Sequence, residues 1–144
     1  MMLWHARPHG RRVMTAGFHA GTFAQAQMRH PRGEMMLVEL WPDIPAKRIK
    51  DAGTWSEGSY NVSKSSAPAL VYLNRYEGIG VESAQRIAAE VKNADRLTDA
   101  QFLKYAPDAR DSYIVLDPSW IKTLREALPG EIESELERLR KENP

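Results

Sequence analysis

All four histidines, His5, His9, His19 and His30, fall within the first thirty residues, the densest supply of proton-transfer and ligand-holding groups in the chain. His5 and His9 stand four apart, a spacing that sets two imidazoles on one helix face as a metal pair, but Pro8 and Gly10 break any such helix. No metal is expected. His19 and His30 offer an acid and a base for RNA cleavage, yet no motif places a lysine or tyrosine beside them. The chain has no cysteine, which removes disulfides, thiolate zinc sites and thiol nucleophiles together. Neither Gly-x-Gly-x-x-Gly nor the phosphate-loop pattern occurs, so classical dinucleotide folds and phosphate-loop NTPases are not expected. Asn61-Val62-Ser63 is a glycosylation sequon with meaning only in a secreted chain.

The elements that must position these groups belong to a chain of 144 residues, 42% apolar and 27% charged, long enough for one domain with a real core. Its net charge of +1 conceals an asymmetry: residues 1–50 hold eight Lys/Arg against three Asp/Glu, and residues 51–144 hold twelve against sixteen. A basic, His-rich first third suits an anionic ligand or an acidic protein surface, while the near-neutral total argues against nonspecific nucleic-acid binding. With a mean hydropathy of −0.52 and apolar runs of only four residues, Met35–Val38 and Leu70–Leu73, no membrane span is expected. Charge enters at Arg7 before an apolar signal core can form, so the chain reads as cytoplasmic.

Leu3-Trp4-His5 reads as an edge strand stopped by Pro8, and Val13–His19 as a weak strand. Thr22 to Gln25 is a capping box opening a helix to Arg29. Glu34–Trp41 is the clearest strand, buried on both faces, and ends before Pro42. Residues 42–68, with Pro42, Pro45, Gly53, Gly58 and Pro68, read as one long irregular loop. Strands follow at Ala69–Tyr76 and Ser112–Leu116, and helices at 81–92 and 98–105, the second capped by Thr98. Asp117-Pro118-Ser119 is a turn into a helix at 119–128; Pro129-Gly130 is a break before a charged helix at 131–142. Strands interleaved irregularly with helices predict an α+β fold, a domain over 1–128 and a separate amphipathic helix over 129–144.

Three segments carry a family resemblance in order: Leu3-Trp4-His5-Ala6; Gly17-Phe18-His19-Ala20-Gly21-Thr22; and Asp111-Ser112-Tyr113-Ile114-Val115-Leu116-Asp117-Pro118. Together they resemble the ADP-ribosyltransferase-like superfamily of the His-Tyr-Glu type, which includes diphtheria toxin and the poly(ADP-ribose) polymerases. They are closest to its small, divergent phage, prophage and toxin-like members, and Val71–Gly78 resembles the penultimate strand of those proteins. The resemblance covers roughly residues 3–122. It implies split, curved β-sheets with flanking helices, NAD as substrate, and transfer of ADP-ribose to a protein target.

Carried over position by position, the resemblance gives His5 a hydrogen bond to the NAD ribose, Ala6 main-chain groups for the carboxamide, and His19 the stacking position against nicotinamide. Thr22, ending the second motif, is a further dinucleotide-binding candidate. The position of the family's late catalytic Glu is Ser112, which cannot stabilise the oxocarbenium-like state of glycosidic cleavage. Asp111 is adjacent but one step along a strand, hence on the other face. Glu77, at the end of the preceding strand, is the better stand-in, and Glu57 is a third candidate. The alternative is a domain that keeps the fold, has lost catalysis, and binds a protein partner through its basic edge, Arg11 and Arg12 included, or through the 42–68 loop. Trp4, Trp41, Tyr72 and Tyr113 are expected as core aromatics rather than stacking platforms.

Overall fold

The structure, a computed structural model, describes residues 1–8, 17–51 and 67–142. His9, Arg11, Arg12, the start of the Val13–His19 segment, Glu57 and the sequon at Asn61 lie outside the described residues.

The fold is α+β. Strand β1 (Met2–Arg7) is followed by β2 (Phe18–Ala20), helix α1 (Phe23–Arg29), β3 (Glu34–Leu40), β4 (Ala46–Arg48) and β5 (Ala69–Leu73). Helices α2 (Val81–Glu90) and α3 (Asp99–Tyr105) precede β6 (Asp111–Val115), β7 (Ile121–Glu126) and α4 (Pro129–Glu142). One sheet has the order β1-β3-β7 and the other β2-β6-β5-β4. Among the described residues a single antiparallel bridge, Trp4 to Gly21, joins them: Trp4 N–H donates to Gly21 O at 2.7 Å and Gly21 N–H returns to Trp4 O at 2.9 Å.

Alternation along the strands sorts the core. Leu3, Val38 and Leu40 from the first sheet meet Phe18, Ala20 and Val115 from the second. On the other face of the second sheet lie Leu70, Tyr72 and Ile114. A third cluster, Leu73, Phe102, Ala106 and Ala109, ties α3 to the end of β5. Among the described residues no helix is long and apolar enough to cross a membrane.

Both capping boxes form as expected, with Thr22 and Thr98 each accepting from the main chain three residues on and each Gln reaching back. Three expectations are corrected. Residues 121–126 form β7, not part of a helix, because β3 presents a free edge and Ile121–Glu126 satisfies it in antiparallel register; pairing outweighs the local helix preference of Leu124 to Ala127. The 42–68 stretch is not wholly irregular, since Ala46–Arg48 runs parallel to Ala69–Val71 as a short edge strand. Pro129-Gly130 is no break but the first turn of α4, where proline's missing N–H costs nothing. Glu131, three residues past Leu128, accepts from the Leu128 N–H and makes a paired hydrogen bond with Arg125, fixing α4 to β7.

Arg75 pins the helical lobe to β5. Its buried guanidinium donates to the carbonyls of Ala94 and Leu97 and to Asp99 at 2.7 to 3.0 Å, and lies over the Phe102 ring. Removing it strands two carbonyls and a carboxylate. Arg75→Ala should cost about 3 kcal/mol in denaturant unfolding, and Arg75→Lys should recover less than half of that, because an ammonium cannot span the same acceptors.

Candidate functional site

The site is assembled where β1 and β2 part. Trp4 pairs outward from β3 toward Gly21, so by alternation the main-chain N–H and C=O of Ala6 also point toward the β2 side. Beyond the Trp4–Gly21 pair the main-chain ladder between β1 and β2 stops among the described residues. In its place the His5 imidazole donates from Nδ1 to the His19 carbonyl at 2.6 Å, with its ring edge-on to Phe18. His5 therefore braces the seam from the core side.

The His19 ring lies on the other face of β2 with Tyr72 and Ser112, consistent with the register His19↔Ile114 and Tyr72↔Ser112. Its Nδ1 is 3.1 Å from the Tyr72 hydroxyl. Burial, reinforced by the Arg29 charge and the neighbouring His5 and His30, pushes the His19 pKa down to about 3. The ring is neutral at pH 7. An acid–base pair of His19 and His30 for RNA cleavage is thereby disfavoured, since a ring lowered to about 3 is neither a protonated acid nor an effective base near neutrality. Burial also raises the Tyr72 phenol well above its ordinary value, with the Asp51 charge adding to it.

Ser112 is the hub of the polar cluster. Its hydroxyl donates to Gln25 Oε1 at 2.7 Å and accepts from Asn74 Nδ2 at 2.9 Å. Gln25 Oε1 also accepts from Thr22 N–H, and Gln25 Nε2 donates to Arg110 O. Asn74 Nδ2 reaches Glu77 Oε1 at 3.1 Å, while Asn74 Oδ1 accepts from the N–H groups of Tyr76 and Glu77. Arg29 lies 3.5 Å from the same Glu77 oxygen. A carboxylate is thus one side chain away from Ser112, half-buried and charge-balanced.

Two glycines make this packing possible. A Cβ on Gly21 would sit 2.0 Å from Gln25 Oε1, and Gly78 has φ +84 with no room beside Gln25 for a side chain.

The cluster brings Glu77, Ser112, Thr22 and the His19 ring together, with His5 and Ala6 at the seam. Asp111 is excluded from it: the strand step turns its carboxylate to the opposite face, where Arg48 binds both oxygens at 2.7 and 3.1 Å. Thr22 serves as a helix cap first, its hydroxyl accepting from Gln25 N–H. Sequence reasoning missed Gln25 and Asn74 as site residues. Gln25 was visible only as a capping partner; Asn74 carried a signal, an asparagine at a strand end before Glu77-Gly78, the pattern of a side chain closing its own turn. Tyr72, expected as a core aromatic, is buried as such and also reaches His19, whereas Trp41, expected likewise, is 44% exposed with the Lys122 ammonium over its ring.

The chain matches no family model, no curated protein and no solved structure.

The His19 shift carries a pH signature. Its folded pKa lies below the unfolded value of 6.5, so the unfolded chain binds the extra proton: no penalty acts above pH 6.5, and stability is lost as pH falls from 6.5 toward 3. The loss should reach a few kcal/mol, by the equivalence of about 1.4 kcal/mol per pKa unit. Urea unfolding of the wild type and His19→Asn at pH 7 and pH 4.5 should show a smaller acid loss in the variant. Equal losses would mean that His19 titrates normally.

Proposed function

We propose that this protein is an ADP-ribosyltransferase-like module that binds NAD at the seam between β1 and β2 and uses Glu77 in place of the family's late glutamate. The observation that carries the reading is the link from Glu77 through Asn74 to Ser112, which sets a carboxylate beside the position where the resemblance calls for one. Two separate sheets meeting at the Trp4–Gly21 bridge support the reading, since the resemblance implies split sheets.

The local chemistry suits the ligand. Nicotinamide in NAD is a cation, and a neutral His19 ring can stack against it where a protonated one would repel it. Main-chain groups of Ala6 that point into the seam suit a carboxamide, which needs one donor and one acceptor. In the proposed reaction the bond from ribose C1′ to the nicotinamide nitrogen breaks and nicotinamide leaves with the electron pair. The positive charge left on the ribose faces Glu77, and a nucleophile on the acceptor attacks C1′ and gives its proton to water. Arg29 balances Glu77 before the ligand arrives and competes with the ribose for the same oxygen.

The catalytically lapsed alternative draws on a different observation: the Ser112 hydroxyl gives its one proton to Gln25 and accepts from Asn74, so it has no proton left for a substrate. One titration separates the two. Calorimetry with NAD up to millimolar concentration should show binding that His19→Ala weakens by at least tenfold. Nicotinamide release, followed by chromatography, should fall about 10²-fold or more in Glu77→Gln while NAD affinity stays within about threefold. Binding without release would favour the lapsed module. Absence of binding by the intact chain would end the NAD reading altogether.

A further inference from the structure

A groove of about 570 Å³ runs between α1, the 78–81 turn, residues 108–110 and α4. Its size falls within the roughly 300–1,000 Å³ typical of small-ligand sites. It adjoins the polar cluster and shares Thr22 with it: Gly78 follows Glu77, and Thr22 caps the helix that carries Gln25. The walls are apolar. Met28 and Val81, 53% and 67% exposed, line it together with Leu136 and Leu139 of α4. No residue of α4 is buried, so the helix closes the groove as a wall rather than filling it.

The mouth is cationic. Arg110 is exposed and its Nη1 donates to the main-chain carbonyls of Pro107 and Ala109, with the Asp108 carboxylate close enough to feel its charge. Arg138 and Arg140 flank the same opening, each held by glutamates of α4. Of the two lining carboxylates, Asp108 is committed to Gly80 N–H and Ser83 Oγ, and Glu142 is paired with Arg138. Arg110 is thus the cation best placed to take an incoming anion.

We propose that this groove receives the adenosine diphosphate half of the dinucleotide, with the adenine among Met28, Val81, Leu136 and Leu139, and the diphosphate at Arg110. The proposal rests on the NAD reading of the adjacent cluster. A flat heteroaromatic needs apolar walls and a diphosphate needs a guanidinium fork, and both meet here beside the turn that bears Glu77.

ADP, which lacks both nicotinamide and the ribose that faces Glu77, isolates the groove from the cluster. Titrated into the full chain, it should bind, and Arg110→Glu and Leu139→Trp should each weaken it at least tenfold while retaining the wild-type thermal melt. Arg110→Lys should keep most of the affinity. NAD binding that neither groove variant changes would overturn the groove assignment and spare the cluster. Groove-dependent ADP binding alongside nicotinamide release that Glu77→Gln does not alter would overturn the role of Glu77 and spare the groove. Failure of both ligands to bind at millimolar concentration would overturn both.

Discussion

The arrangement hangs on the main-chain pair between Trp4 and Gly21. It is the one β-bridge that joins the two sheets among the described residues, and it makes β1 a member of both ladders. Two hydrogen bonds contribute only about 1 kcal/mol each net of solvation, too little to hold two sheets by themselves. Their value is geometric. They fix which main-chain groups of β1 face β2, and they let His5 take the next carbonyl with a side chain rather than a main-chain donor. Trp4 secures the pair from outside by packing edge-on to Phe23 of α1, with ring centroids 5.0 Å apart. A strand that kept pairing past Gly21 would seal the seam; the substitution of an imidazole for a ladder bond leaves Ala6 directed into it.

The polar cluster follows a similar economy. Buried polar groups are tolerated when each finds a partner, and Ser112, Gln25 and Asn74 meet that condition largely through one another. The same network explains why a carboxylate would sit poorly at position 112. Gln25 Oε1, 2.7 Å from the Ser112 hydroxyl, already accepts from Thr22 N–H, and a second acceptor against it would find no proton between them. Reversing the Gln25 amide would present an amine to Thr22 N–H and break the helix cap. Glu77 avoids the conflict by approaching through Asn74, whose amide has protons to give.

Much of this was legible in the sequence, and the exceptions share a cause. The capping boxes at Thr22 and Thr98, the buried strand at Glu34–Leu40 and the strand at Asp111–Val115 are set by local pattern, and local pattern was enough. β7 was not legible, because Ile121–Glu126 becomes a strand only through the free edge of β3, a partner more than eighty residues away. The site divides in the same way. Strand alternation alone separated Asp111 from Ser112, and chain order placed Glu77 at the end of the neighbouring strand. That Gln25 and Asn74 would meet across Ser112 depends on α1 docking against the end of β6, which no single segment encodes.

One segment links the parts. From Asn74 to Gly80 the chain leaves β5, closes a turn on the Asn74 side chain, presents Glu77, passes through the positive φ of Gly78 and enters α2 under the Asp108 carboxylate. It is anchored at each end, by the buried Arg75 guanidinium on one side and by the Asp108 bonds to Gly80 and Ser83 on the other. The cluster and the α4 groove share it, so a ligand touching Gly78 from the groove acts on the same anchored turn that holds Glu77. Coupling between the two then requires no relay of side chains, only that this turn stay stiff.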